Sequence, residues 1–162
     1  MSKYFQASKI LPVLKGLFLY FAATAFACTL VVYGGIKIPG YQIPEPILTI
    51  FGTTNLAIVV AGIVMVIILP VIQEIVFRKL LLQWLVGKVG ALRGSMATAL
   101  LFAAINSAYR GFVPVFILGL ILNWLFVTSK SIRSCILLHA IVSLSAFILD
   151  ILLIKGVIPL DF

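Results

Sequence analysis

Two charged side chains, Glu74 and Arg78, come directly after an uncharged run, in the stretch Gln73-Glu74-Ile-Val-Phe77-Arg78. No residue from Pro46 to Gln73 carries a charge. Charged groups at membrane depth are costly and mark functional sites. A carboxylate can accept a proton from water, so Glu74 is the first candidate for general-base chemistry.

The second candidate for chemistry is His139, the only histidine of the chain, which Ser143 follows by four residues. Residues four apart share a helix face, as Glu74 and Arg78 also do. Spacing alone favours structural roles. The carboxylate and the guanidinium would form a buried ion pair that fixes helix packing, and His139 would be a hydrogen-bonded packing residue. Gln73 is expected to point about 100° away from Glu74 and to address a different neighbour.

The composition indicates that these residues lie in a membrane. The chain has 162 residues, of which 64% are hydrophobic and 10% charged, whereas a soluble domain is about half apolar and a quarter charged. We therefore predict one integral membrane domain over residues 1–162, an all-α polytopic transmembrane helix bundle of about five spans, with four to six as the range. The apolar runs are residues 17–36, 53–72, 95–109, 111–129 and 134–154.

The charge balance predicts orientation and partners. Twelve basic residues against four acidic ones give a net charge of +8. With a cytoplasmic N-terminus, nine of the twelve basic residues fall on the inside, as the positive-inside rule favours. We expect a multi-pass protein that contacts anionic lipids and binds no nucleic acid. Cys28 and Cys135 fall within apolar runs and indicate neither a disulfide nor a metal site, and no cofactor is predicted.

Helix lengths predict which polar residues meet. If the second helix continues past Arg78, its turn lies in residues 87–94. Gln73 is then about 22 Å above Lys88, and Asn106 is about 20 Å above Arg93. Gln73 and Asn106 would face each other across an antiparallel hairpin and could form a hydrogen bond. His139 lies only about 9 Å past Arg133, so its depth in the membrane would not match that of Gln73 and Asn106.

Three motifs in this order resemble the CPBP (Abi) group of intramembrane endopeptidases, related to the CAAX-processing type II prenyl proteases. The family's motifs are Glu-Glu-x-x-x-Arg, Phe-x-x-x-His and His-x-x-x-Asn/Asp. The resemblance covers a core of residues 53–146. The matching stretches are Gln73-Glu74-Ile-Val-Phe77-Arg78, Phe102-Ala-Ala-Ile-Asn106 and His139-Ala-Ile-Val-Ser143.

The resemblance implies roles for four positions. In the family, the first Glu and the second-motif His are taken to activate water, and the third-motif His and Asn to bind the oxyanion. The water-activating positions hold Gln73 and Asn106 here, and the oxyanion positions hold His139 and Ser143. A carboxamide is no usable base in the pH range of a cell. Together with Ser143, which stands where the family has Asn or Asp, three of the four positions depart from the family pattern and are degenerate.

Two functions remain open. The favoured hypothesis is a catalytically degenerate protein that acts as a binding, assembly or regulatory subunit in a possible hetero-oligomer. Its partner would be an integral membrane protein or a transmembrane or lipidated peptide. The alternative is an active intramembrane endopeptidase that uses Glu74 and His139 as its catalytic pair. Enzyme activity is left open, with the three substitutions weighing against it.

Overall fold

The computed structural model describes residues 2–32, 48–107 and 111–156. These residues form six helices, which we number along the chain. They are α1 (Ser2–Val32), α2 (Leu48–Phe51), α3 (Asn55–Val89), α4 (Ala91–Asn106), α5 (Phe112–Ser129) and α6 (Ile132–Ile154). Residues 37–46, whose prolines and glycine predict a loop after the first span, lie outside the described residues, as do the predicted ends of the first and third spans at residues 36 and 109.

The predicted fold class, an all-α polytopic helix bundle, is confirmed. Among the described residues, α1, α3, α5 and α6 are long and apolar enough to cross a membrane. α4 is apolar but has only 16 residues. The helix that holds the first apolar run begins at Ser2, ahead of the predicted start at residue 17, because the lysines before residue 17 do not interrupt it.

α3 is the longest apolar helix and carries the first motif. Its 35 residues rise about 52 Å, more than the roughly 30 Å of a hydrocarbon core. The prediction that it continues past Arg78 is correct. Two stretches, Ile63–Ile68 and Ile75–Leu82, have the wider π-helical bonding. Such turns are rare and occur often at functional sites.

A single residue, Gly90, reverses the chain between α3 and α4. Its φ of 86° lies in a region that favours glycine. The turn is thus tighter than the eight-residue range predicted. Gly94 then lets the two helices approach closely, because a Cβ there would lie 2.8 Å from the backbone nitrogen of Val86. The hairpin that holds Gln73 and Asn106 is therefore compact at its turn.

α6 begins two residues earlier than predicted, at Ile132, and the Ser131 hydroxyl caps it by accepting from the Ser134 amide at 3.3 Å. From Ile132 to His139 the helix rises about 10 Å, whereas from Gln73 to Val89 α3 rises about 24 Å. His139 nevertheless reaches the residue next to Gln73. By these rises, the α3–α4 hairpin extends roughly 14 Å further from the site than the α5–α6 turn does, and this offset accounts for the depth mismatch.

The core lies between α1, α3, α4, α5 and α6, and α1 packs against α5 and α6 and contributes Val13 and Tyr20 to it. It is mostly aliphatic, and Phe77 and Phe102 meet edge to face with centroids 5.1 Å apart. Within this core seven polar or charged residues are also buried. The buried polar set is Glu74, Arg78, Thr98, Asn123, Ser134, His139 and Ser143.

Candidate functional site

The four positions that the motifs single out line one cavity of about 310 Å³. They are Gln73 of α3, Asn106 of α4, and His139 and Ser143 of α6. The rest of the wall is apolar and comes from α2, α3, α4 and α5. It consists of Ile50, Phe51, Val64, Met65, Leu69, Pro70, Phe102, Ile105, Val115 and Leu118. The cavity is at the small end of the size range for ligand pockets and has their usual composition, a largely apolar wall with a few convergent polar groups.

The polar end of the cavity is bridged by two carboxamides. The Gln73 Nε2 donates to the Asn106 Oδ1 at 2.5 Å, which is the contact that the hairpin lengths predict. The Asn106 Nδ2 donates in turn to the Phe102 carbonyl oxygen at 2.8 Å. Two neutral groups thus hold each other at the positions where the family has a carboxylate and an imidazole.

Glu74 points away from this pair, as the 100° step between successive helix residues predicts. Its side chain is fully buried, and it does not line the cavity that the described residues form. Its Oε1 lies 2.8 Å from the His139 Nδ1, and its Oε2 lies 3.2 Å from the Arg78 Nε. Both carboxylate oxygens therefore face a partner within the protein.

Arg78 is fully buried beneath the site and is held by three groups. Besides the ion pair with Glu74, its Nη2 donates to the Gly119 carbonyl oxygen at 3.3 Å. Its guanidinium carbon lies 4.5 Å from the centre of the Phe102 ring, in range of a cation–π contact. The Nε–Oε2 contact is close, but its angle is not that of a hydrogen bond, so Glu74 holds the guanidinium by Coulomb attraction alone.

His139 connects the buried charges to the cavity. Its Nδ1 faces the Glu74 carboxylate, while the residue lines the cavity and its ring meets Phe102 edge to face at 5.6 Å. In a neutral imidazole one nitrogen donates and the other accepts. A carboxylate on Nδ1 favours the tautomer with the proton there, which makes Nε2 the acceptor nitrogen.

The structure thus separates the predicted site residues into two groups. Gln73, Asn106, His139 and Ser143 meet at the cavity, whereas Glu74 lies behind His139. No group of three or more His, Cys, Asp and Glu side chains that could hold a metal ion occurs in the described parts of the chain.

Sequence reasoning missed two contributions to the site. The short helix α2 supplies Ile50 and Phe51 to the cavity wall, and the Gly119 carbonyl oxygen holds Arg78. Aliphatic wall residues carry no signal that distinguishes them from lipid-facing ones. The family resemblance marks Gly119 as a framework residue of the stretch Phe116-Ile-Leu-Gly119-Leu120, but no sequence signal shows that its carbonyl oxygen would hold Arg78.

The polar cluster lies at a cavity inside a helical membrane bundle. Intramembrane hydrolases and their relatives have sites of this type. The chain matches the family described as type II CAAX prenyl endopeptidase Rce1-like over residues 54–145, more than half of its length. It belongs to this family, and the family prediction is confirmed. No curated protein and no solved structure matches the chain in the corresponding comparisons.

Proposed function

We propose that this CAAX protease-like membrane protein is a catalytically degenerate member of its family that binds a membrane partner in the cavity. The observation that carries the proposal is the hydrogen bond between Gln73 and Asn106. These residues occupy the positions that the family uses to activate water, and a carboxamide cannot act as a general base.

The environment of Glu74 supports the same proposal. Although Glu74 is the one carboxylate of the motif, it lies behind the cavity wall, between the Arg78 guanidinium and the His139 ring. To accept a proton from a water molecule in the cavity, it would have to leave one of these partners. Removing one partner from a buried ion pair is strongly unfavourable, so Glu74 is suited to holding the bundle together.

The partner is inferred from the cavity wall and its mouth. Ile50 of α2 and Ile105 of α4 line the cavity and are largely exposed, so the part of the rim that the described residues form is apolar. A transmembrane or lipidated peptide of an integral membrane protein could enter here from the lipid. Binding without cleavage would make the protein an assembly or regulatory subunit in a hetero-oligomer.

The proposal is tested by restoring the two missing groups. Purified wild-type protein, reconstituted in liposomes, is assayed for cleavage of prenylated and transmembrane peptides alongside the Gln73→Glu/Asn106→His double variant. We expect no turnover by the wild type and a gain of turnover by the double variant. Gln83→Glu adds the same carboxylate at an exposed position of α3 and should gain nothing. Wild-type turnover that disappears in His139→Ala would refute the proposal.

Binding is tested with a photoreactive lipidated peptide in the same liposomes. Ile105→Trp places a large ring at the mouth of the cavity and should reduce crosslinking to residues of the cavity wall. Leu101→Trp is the control, because Leu101 is also exposed on the same helix but does not line the cavity. Equal crosslinking by the two variants would contradict binding in the cavity.

A second candidate function is hydrolysis with His139 as the general base. The favouring observation is the 2.8 Å contact between the Glu74 Oε1 and the His139 Nδ1, which orients the ring in the cavity wall. This arrangement resembles the carboxylate–imidazole part of a catalytic triad. It predicts wild-type turnover that falls by orders of magnitude in His139→Gln, with folding checked by thermal unfolding. Absence of wild-type turnover would exclude it.

A further inference from the structure

The polar end of the cavity is uncharged. Among the described residues that line it, none is Asp, Glu, Lys or Arg. Its polar groups are the two carboxamides of Gln73 and Asn106, the His139 imidazole and the Ser143 hydroxyl. The Glu74 carboxylate lies behind His139 and does not line the cavity. A ligand in the cavity therefore meets neutral hydrogen-bonding groups.

The buried charges behind the wall balance each other. The Glu74 carboxylate and the Arg78 guanidinium are 3.2 Å apart, so their charges compensate each other. They offer no uncompensated charge to a ligand head group. A carboxylate or ammonium group in the cavity would lose its water without gaining a counter-ion, and burying an unpaired charge is strongly unfavourable.

A neutral amide, in contrast, finds matching partners there. Each carboxamide has two N–H groups and a carbonyl oxygen. One N–H of Gln73 is directed to Asn106, and one N–H of Asn106 is directed to the Phe102 carbonyl oxygen. Each side chain thus keeps a second N–H, and Gln73 keeps its carbonyl oxygen as an acceptor for a ligand amide. The aliphatic wall accepts an adjoining apolar chain.

We propose that the cavity selects an uncharged amide carried on an apolar chain and rejects carboxylates and ammonium groups. The proposal rests on the proposed function, because it names the chemistry of the ligand that the same cavity binds. Two sources offer this chemistry, a peptide amide next to apolar side chains and the amide of a fatty chain. Both lie within reach of a cavity that opens to the lipid.

The test compares three probes of equal chain length, decanamide, decanoate and decylammonium, added to the protein in nanodiscs of zwitterionic lipid. Bound probe is counted by native mass spectrometry. Ile105→Trp narrows the cavity mouth, and Leu101→Trp is its matched control. The difference in bound probe between the two variants measures binding in the cavity, because simple partitioning into lipid is the same for both. We expect cavity-dependent binding of decanamide to be at least about tenfold tighter than that of either charged probe.

A charge-change variant provides the second arm. Gln73→Glu places a carboxylate at the cavity wall and should reverse the selection, so that decylammonium binds in preference to decanamide. Gln83→Glu adds the same charge outside the cavity and should keep the wild-type order. An uncharged apolar dipeptide amide serves as a competitor. Displacement of decanamide by this competitor identifies a peptide amide as the ligand of the cavity, and a failure to displace decanamide identifies a fatty amide.

The outcomes separate this inference from the proposed function. Equal binding of the three probes, or an order that Gln73→Glu leaves unchanged, overturns the selection of uncharged amides even if no peptide is cleaved. Peptide cleavage by the wild type overturns the non-catalytic function, whereas a preference for decanamide would still stand in that case. The inference is also overturned if Ile105→Trp and Leu101→Trp affect decanamide binding equally, because decanamide then binds outside the cavity.

Discussion

Gln73 and Glu74 are neighbours in the sequence but belong to two different regions of the molecule. Gln73 faces the cavity and bonds to Asn106, whereas Glu74 faces the core and lies between Arg78 and His139. One helical step of about 100° is enough to separate them. The comparison shows that one motif can serve two purposes, a wall for a ligand and a charged support behind it.

The two regions also differ in what holds them together. The charged region depends on every member, because removal of one partner leaves a buried charge without compensation. The amide pair is neutral and half-buried, so either side chain can find other hydrogen-bond partners when its neighbour is lost. We therefore expect substitutions in the charged region to affect stability far more than substitutions in the amide pair.

The largest effect is expected for Arg78→Met, which removes the guanidinium and leaves the Glu74 carboxylate buried without its cation. Breaking a buried pair in this way costs about 3–5 kcal/mol. The change should appear as a lower unfolding free energy in detergent titrations, or as loss of folded protein on expression. Lys79→Met is the matched control, because the adjacent Lys79 is exposed and its removal should have little effect. Equal stability of the two variants would show that the buried ion pair is not a support.

A smaller effect is expected for Gly119→Ala, which tests how tightly α4 and α5 close over Arg78. A Cβ at Gly119 would lie 3.1 Å from the Ala99 Cα and 3.3 Å from the Phe102 Cδ1. Overpacking of this kind costs about 1–3 kcal/mol. Gly87→Ala is the control, since nothing lies within 4 Å of a Cβ there. That change should be neutral or should stabilise the helix by up to about 1 kcal/mol in thermal unfolding.

Several features of the two regions follow from the sequence. Spacing predicts that Glu74 and Arg78 pair, and helix rise predicts that Gln73 and Asn106 meet across the α3–α4 hairpin, because one continuous hairpin fixes both distances. Composition predicts the helical membrane bundle, and the motifs predict the family.

The contact between Glu74 and His139, which the alternative hypothesis of a catalytic pair requires, does not follow from helix lengths. It depends on how far the α3–α4 hairpin extends beyond the α5–α6 turn, and this vertical offset is set by packing between helices that are distant in sequence. The cavity is unpredictable for a similar reason. Its wall is mostly aliphatic, and in an apolar helix such residues give the same pattern whether they face lipid, core or cavity.

The smallest effect is expected within the amide pair, where a double-mutant cycle of Gln73→Leu and Asn106→Leu isolates the hydrogen bond. Coupling energies of this kind in a membrane average about 0.6 kcal/mol and reach about 1.7 kcal/mol, because polar groups in the unfolded state also find partners. Unfolding free energies of the wild type, both single variants and the double variant give the coupling.

A coupling of 3 kcal/mol or more, on the order of the cost of breaking the buried ion pair, would contradict the division between a support and a cavity wall. Gln73 and Asn106 would then belong to the scaffold. Their contribution to stability would explain their polar side chains without a ligand. A coupling near the membrane average would mean that the hydrogen bond between the two carboxamides adds little to stability. Their presence at the cavity would then be explained by a ligand that bonds to them.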